Sequence, residues 1–154
     1  MTTTMLRTCL GFRACRKGGV AVEFALMVPI LVFTMIAMVD FVRLMSEDGR
    51  IANAALAGAH FGMQSTAHAA DEEGMVRAAR ADAGKGAEEL EIVAEQKCLC
   101  ANGSAVLCSL SCENGAKPVM MVKVSISKQF ATMMPYPMIE NPVPLYRDAE
   151  VQVQ

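Results

Sequence analysis

The chain contains no tryptophan, two histidines and two tyrosines, and only 19% of its 154 residues are charged. Its formal net charge of -2 excludes a strongly basic nucleic-acid binder, and no nucleic-acid partner is expected. A hydrophobic fraction of 53% excludes an intrinsically disordered chain. No phosphate-binding glycine loop is present, because Gly84-Lys85-Gly86 lacks the required spacing, and there is no nucleophile motif. His60 and His68 stand eight positions apart, too far to share a metal on one helical face without other ligands. Nothing argues for catalysis, and neither a cofactor nor a metal is expected. The acids at 71–73 and 88–91 read as solvated faces, and the 13 methionines are scattered as packing residues.

What is present is asymmetry. Residues 1–17 carry Arg7, Arg13, Arg16 and Lys17 and no acid. Removing those four from the 14 basic residues leaves ten against 16 acids, so a basic tail precedes a body of net charge -6. From Val20 to Val39 run 20 residues broken only by Glu23. As a helix this run is roughly 30 Å long, enough to cross the hydrocarbon core of a bilayer. Positive charge before a first span favours a cytoplasmic N-terminus, with the chain after Val39 on the outer side. A cleaved secretory signal has similar ingredients. Here, however, the apolar run is longer than a usual signal core, and Asp40 and Arg43 follow it. Cuttable small-residue sites such as Ala52-Asn53-Ala54 lie well beyond those charges. An unprocessed signal anchor is the other plain reading.

Glu23 separates these readings. A carboxylate within a span costs on the order of 3 kcal/mol and marks a functional candidate. Arg16-Lys17 leads into Gly18-Gly19, then Val20-Ala21-Val22, Glu23 and Phe24. This combination resembles the class III signal of type IV prepilins, which are cut on the cytoplasmic side after a glycine, with the glutamate fifth in the mature chain. Counting back from Glu23 puts the cut between Gly18 and Gly19; a cut after Gly19 would leave Glu23 fourth. Two glycines let a peptidase take up extended backbone without steric conflict. Cleavage would leave an α-amino group on Gly19, and the same group on a neighbouring subunit is a fit partner for Glu23. Against this stands a Glu23 that merely snorkels to the headgroups. Pro29, ten residues after Gly19, should kink or locally unwind the span.

The stretch Gly18–Leu26 with Pro29, Val39-Asp40-Phe41 and the small-residue segment 52–61 resembles the TadE-like family, minor pilins or pseudopilins of the tight-adherence (Flp-type) pilus system. TadF and TadG branches share the N-terminal motif, and the length favours the TadE-like one. The resemblance covers about residues 16–62. It implies a prepilin peptidase, the inner-membrane pilus assembly machinery and other pilins as partners. It also implies a single-pass protein of the bacterial inner membrane. Gly18, Gly19, Glu23 and Phe24 would direct processing, and Gly19 and Glu23 assembly.

Beyond the span, Phe41, Leu44, Met45, Ile51, Ala55, Leu56 and Ala59 recur at helical spacing, which predicts one long helix to about Thr66 with a core-packing stripe. Residues 71–83 read as a second helix with acids at its start, ended by Gly84-Lys85-Gly86. The period then becomes two. Leu90, Ile92 and Ala94 lead into Cys98-Leu99-Cys100, with a turn at Asn102-Gly103, a return over 105–110 and another turn at Asn114-Gly115. Met120, Val122, Val124 and Ile126 predict a further half-buried strand, and 145–153 a last one. Residues 135–144, with four prolines, read as loop. The fold class expected is α+β: a long N-terminal helix on a small antiparallel sheet. The expected divisions are a leader at 1–18, a transmembrane helix at 19–41, a helical region at 42–84 and a cysteine-bearing β domain at 85–154.

Cys9 and Cys15 fall in the leader, on the reducing side. Cys98, Cys100, Cys108 and Cys112 form C-x-C-x7-C-x3-C, which in an oxidising compartment reads as two disulfides. Zinc binding and redox thiols are the rivals, and a membrane-anchored redox or metal-binding domain is the alternative function. Cys98 and Cys100 share one face of a strand and bridge each other poorly. A three-residue turn at 102–104 would set Cys98 opposite Cys108 and leave Cys100 for Cys112.

Overall fold

The computed structural model describes residues 19–113 and 115–153. The leader at 1–18, with Cys9, Cys15 and Gly18, and the turn residue Asn114 lie outside the described residues. The chain divides into two units between Val39 and Asp40. Its elements are α1 (Gly19–Gly62), α2 (Thr66–Ala69), α3 (Glu72–Ala83), a 3₁₀ turn (Ala87–Glu89), β1 (Glu91–Leu99), β2 (Ala105–Val106), β3 (Val119–Phe130) and β4 (Val143–Gln152). This is an α+β fold, a long apolar N-terminal helix followed by a small antiparallel sheet with two disulfides.

The strands run in the order β2-β1-β3-β4, all antiparallel. Alternation sends Leu90, Ala94, Val122, Val124 and Ile126 into the core, while Glu91, Lys123, Ser125 and Ser127 stand on the opposite, polar face. Two helical segments cover the apolar face. α1 contributes Ile51, Ala54, Ala55 and Ala59, and α3 contributes Met75, Ala79 and Ala83. The small residues have a packing reason. A β-carbon at Gly58 would stand 2.9 Å from the Met75 carbonyl oxygen, and one at Gly62 would lie 3.1 Å from Val122 Cγ2. Asp71 starts α3 as its N-cap, accepting a hydrogen bond from Gly74 N–H at 2.8 Å.

Several sequence expectations are corrected. α1 stays helical through Pro29, so the span is not unwound there, although the ring removes one backbone donor. Of the expected stripe, Phe41, Met45 and Leu56 are exposed. The helical face turns about 100° per residue, so these positions drift off the buried side defined by Ile51, Ala55 and Ala59. α2 and the 3₁₀ turn were not expected; both are too short to carry periodicity. The loop expected over 135–144 ends earlier, since β4 begins at Val143 and Pro144 lies within it opposite Gln129. β4 is an edge strand, where a residue without N–H is tolerated.

The first hairpin also differs. Cys100 N–H donates to the Ser104 carbonyl at 2.9 Å and Gly103 N–H to the Cys100 carbonyl at 2.8 Å, with Gly103 at φ 81°. The loop is therefore 101–103, one residue earlier than expected, and Cys98 faces Val106 rather than Cys108. The return strand is only two residues long. The structure nevertheless joins Cys98 to Cys108 and Cys100 to Cys112, with Cα separations of 5.1 and 5.8 Å. The Cys112 turn repeats the same pattern, Cys112 N–H donating to Ala116 and Gly115 N–H to Cys112. With partners 10 and 12 positions apart in sequence, each bridge should contribute about 3 kcal/mol by restricting the unfolded chain. Thermal unfolding with and without reductant checks this: a large drop in melting temperature is expected, and identical melting would overturn it.

Candidate functional site

The Gly19–Val39 part of α1 carries the positions singled out in the sequence. An 18-residue window of α1 reaches a mean hydropathy of 2.4, and none of that window is buried. Val20, Val22, Phe24, Leu26, Ile30 and Leu31 all stand exposed, so this segment presents apolar side chains on every side rather than a single stripe. It is long and apolar enough to cross a membrane. Thr34, its one hydroxyl, turns back on the helix, donating to the Ile30 carbonyl at 2.6 Å and to Leu31 at 3.1 Å.

Gly19 is the first residue of α1, and Glu23 follows one turn later on the same side. Glu23 is exposed and forms no ion pair among the described residues. Phe24 is exposed beside it.

In the second unit, residues that sequence reasoning missed hold the base of the fold. Asp40 is only 4% exposed. Its carboxylate accepts from Met133 N–H at 2.9 and 3.1 Å, from Tyr136 O–H at 2.9 Å and from Arg43 Nη1 at 3.1 Å. Arg43 in turn lies over the Phe130 ring at 5.3 Å. A buried carboxylate with four donor contacts is stable there and ties the proline-rich loop to α1. The only hint in sequence was a charge directly after an apolar run.

Two turns beyond Asp40, Glu47 accepts from Arg50 and Lys128, and Lys128 also reaches Glu89 at 3.2 Å. Arg50 donates as well to the Ala83 carbonyl at 2.8 Å, closing the C-terminal end of α3. The Arg50 guanidinium, with help from Lys128, holds the Glu47 carboxyl down at about 2. Because that value lies below the unfolded one, the stabilisation is complete above about pH 4.5 and is lost as pH falls toward about 2. With its side chain 20% exposed, the screened contribution should be about 1–2 kcal/mol. Glu47→Gln should therefore melt lower than wild type at neutral pH, and the gap should close across that window in a pH series of melting curves. A gap that stays constant with pH would refute the ion-pair account.

Cys98, Cys100, Cys108 and Cys112 are paired as disulfides, so none offers a thiolate to a metal. Among the described residues no cluster of three His, Cys, Asp or Glu side chains could hold an ion. His68 is held by Ser65, its Nδ1 2.7 Å from the hydroxyl, and by an edge contact with Phe61.

Residues 18–60 match the model of the TadE-like protein family. That span takes in nearly all of α1 and none of the sheet. Neither the curated proteins nor the solved structures include one that matches the chain.

Proposed function

We propose that this chain, TadE-like over residues 18–60, is a minor pilin or pseudopilin that takes part in assembling a tight-adherence (Flp-type) pilus. The family points to a pilus-associated, pilin-like protein, and the finer reading is ours. The observation that carries it is an exposed, all-round apolar segment, Gly19–Val39 of α1, whose lone carboxylate sits one turn from Gly19. In this reading a prepilin peptidase cuts between Gly18 and Gly19 on the cytoplasmic side. Gly19–Phe41 then anchors the chain in the inner membrane, with the disulfide-bearing sheet on the outer side. Lateral association with other pilins and with the inner-membrane pilus machinery follows, the Glu23 carboxylate meeting the free α-amino group of a neighbour. Such pairing offsets the cost of placing either charge in a low-dielectric layer.

N-terminal sequencing of the native protein tests this. The expected first residue is Gly19, and Gly18→Leu should leave the leader in place, because a large side chain obstructs the scissile bond. A native N-terminus at Met1, or one beyond residue 50, would overturn the prepilin reading.

A further inference from the structure

We propose that the loop of residues 131–142 is a lipid-contacting element, its apolar side chains set into the outer headgroup layer of the bilayer that α1 crosses; this rests on the membrane-anchored reading above. The loop is fastened to Asp40 through Met133 N–H and Tyr136 O–H. Asp40 directly follows Val39, the last residue of the apolar run, so chain connectivity roots the loop where the span ends.

What the loop exposes suits that depth. Met138 is fully exposed, Met133 is 63% exposed and Ile139 55%. Glu140 is the only charged residue between 131 and 142. Met138 also holds φ at 69°, in the left-handed region that side-chain-bearing residues seldom adopt.

The backbone is prepared for a less polar environment. Pro135, Pro137 and Pro142 have no N–H to satisfy. Thr132 N–H donates to Asn141 Oδ1 at 3.2 Å, Thr132 Oγ1 to the Met134 carbonyl at 2.7 Å, and Ile139 N–H to the Tyr136 carbonyl at 3.3 Å. Polar groups already paired within the loop lower the cost of leaving water. Methionine and isoleucine then gain by leaving it, and a half-buried tyrosine is an ordinary resident of the interface. Leu107 is as exposed as these residues, but it lies beyond β1 in a segment with no hydrogen bond to Asp40.

The absence of tryptophan makes the test direct. Met138→Trp, Ile139→Trp, Leu107→Trp and Leu31→Trp each give the full chain a single indole. Each variant is reconstituted in phosphatidylethanolamine–phosphatidylglycerol vesicles carrying phosphatidylcholine brominated high or low on its acyl chains. Indoles at 138 and 139 should emit to the blue and lose most of their intensity to shallow bromines and less to deep ones. The indole at 31 should be quenched by deep bromines, and that at 107 by neither. Indoles at 138 and 139 behaving like that at 107, with 31 quenched, would overturn this proposal and leave the membrane anchor standing. Emission at 138 that responds to protein density but not to bromine would assign the loop to a second copy and equally overturn it. An unquenched indole at 31 would sink the anchored reading and this one with it.

Discussion

Gly58→Leu should abolish cooperative unfolding of the Asp40–Gln154 unit, and even Gly58→Ala should lower its stability by about 1–2 kcal/mol. In an open helix a Gly→Ala change gains up to about 1 kcal/mol, because glycine loses more backbone freedom on folding. At Gly58 the gain is overwhelmed. The added carbon meets the Met75 carbonyl oxygen at 2.9 Å, Ala79 Cβ at 3.2 Å and Val124 Cγ1 at 3.3 Å. The first of these is backbone and cannot rotate aside. Gly49 lies in the same helix with nothing within 4 Å of its would-be β-carbon, so Gly49→Ala should raise the melting temperature. Opposite signs at two glycines of one helix are the signature of close approach. A Gly58→Ala protein that melts at or above wild type would remove that explanation.

Glu23→Gln should leave cleavage intact and sharply reduce co-purification with other pilin subunits. In the proposed reading, peptidase recognition needs the glycine and an extended backbone more than a charge. In the proposed pairing, assembly instead brings an ammonium and a carboxylate together where unpaired charge is costly, on the order of several kcal/mol. A neutral amide leaves the neighbour's ammonium without its counter-charge. Immunoblotting for the processed form and pull-down of pilin subunits separate the two steps. Normal cleavage with normal co-purification would return Glu23 to a carboxylate that only snorkels to the headgroups.

The apolar run, α3, and the alternating strands were legible because each depends on neighbours within a few positions. A glutamate-rich first turn at residues 72–73 and a period of two through Val122, Val124 and Ile126 are local facts. The Asp40 site was not legible: its acceptor and donors are 93 and 96 residues apart in sequence, and nothing in the spacing of prolines tells which loop N–H meets which carboxylate. The hairpin register was missed for a finer reason. Ala101-Asn102-Gly103 and Asn102-Gly103-Ser104 are both acceptable three-residue loops, and a one-residue shift of the loop moves the facing pair by two. The disulfide pairing tolerated that shift, because after Val106 the chain leaves the ladder and carries Cys108 back to Cys98.

The brevity of β2 has a consequence for crowding. It covers only Cys98 and Leu99 of β1, and among the described residues no strand pairs with the remainder of that edge. An open row of amides and carbonyls is a template on which another copy could zip, and subunits held in one plane meet far more often than in free solution. Glu91, Glu95 and Lys97 punctuate this edge, with Lys97 bonded to Glu95 and Glu91 accepting from Ser127 at 2.9 Å. Stacking a second β1 against it would set acid against acid in one register and disturb these bonds in the other. Charges spaced along an open strand edge in this way oppose edge-to-edge pairing between copies.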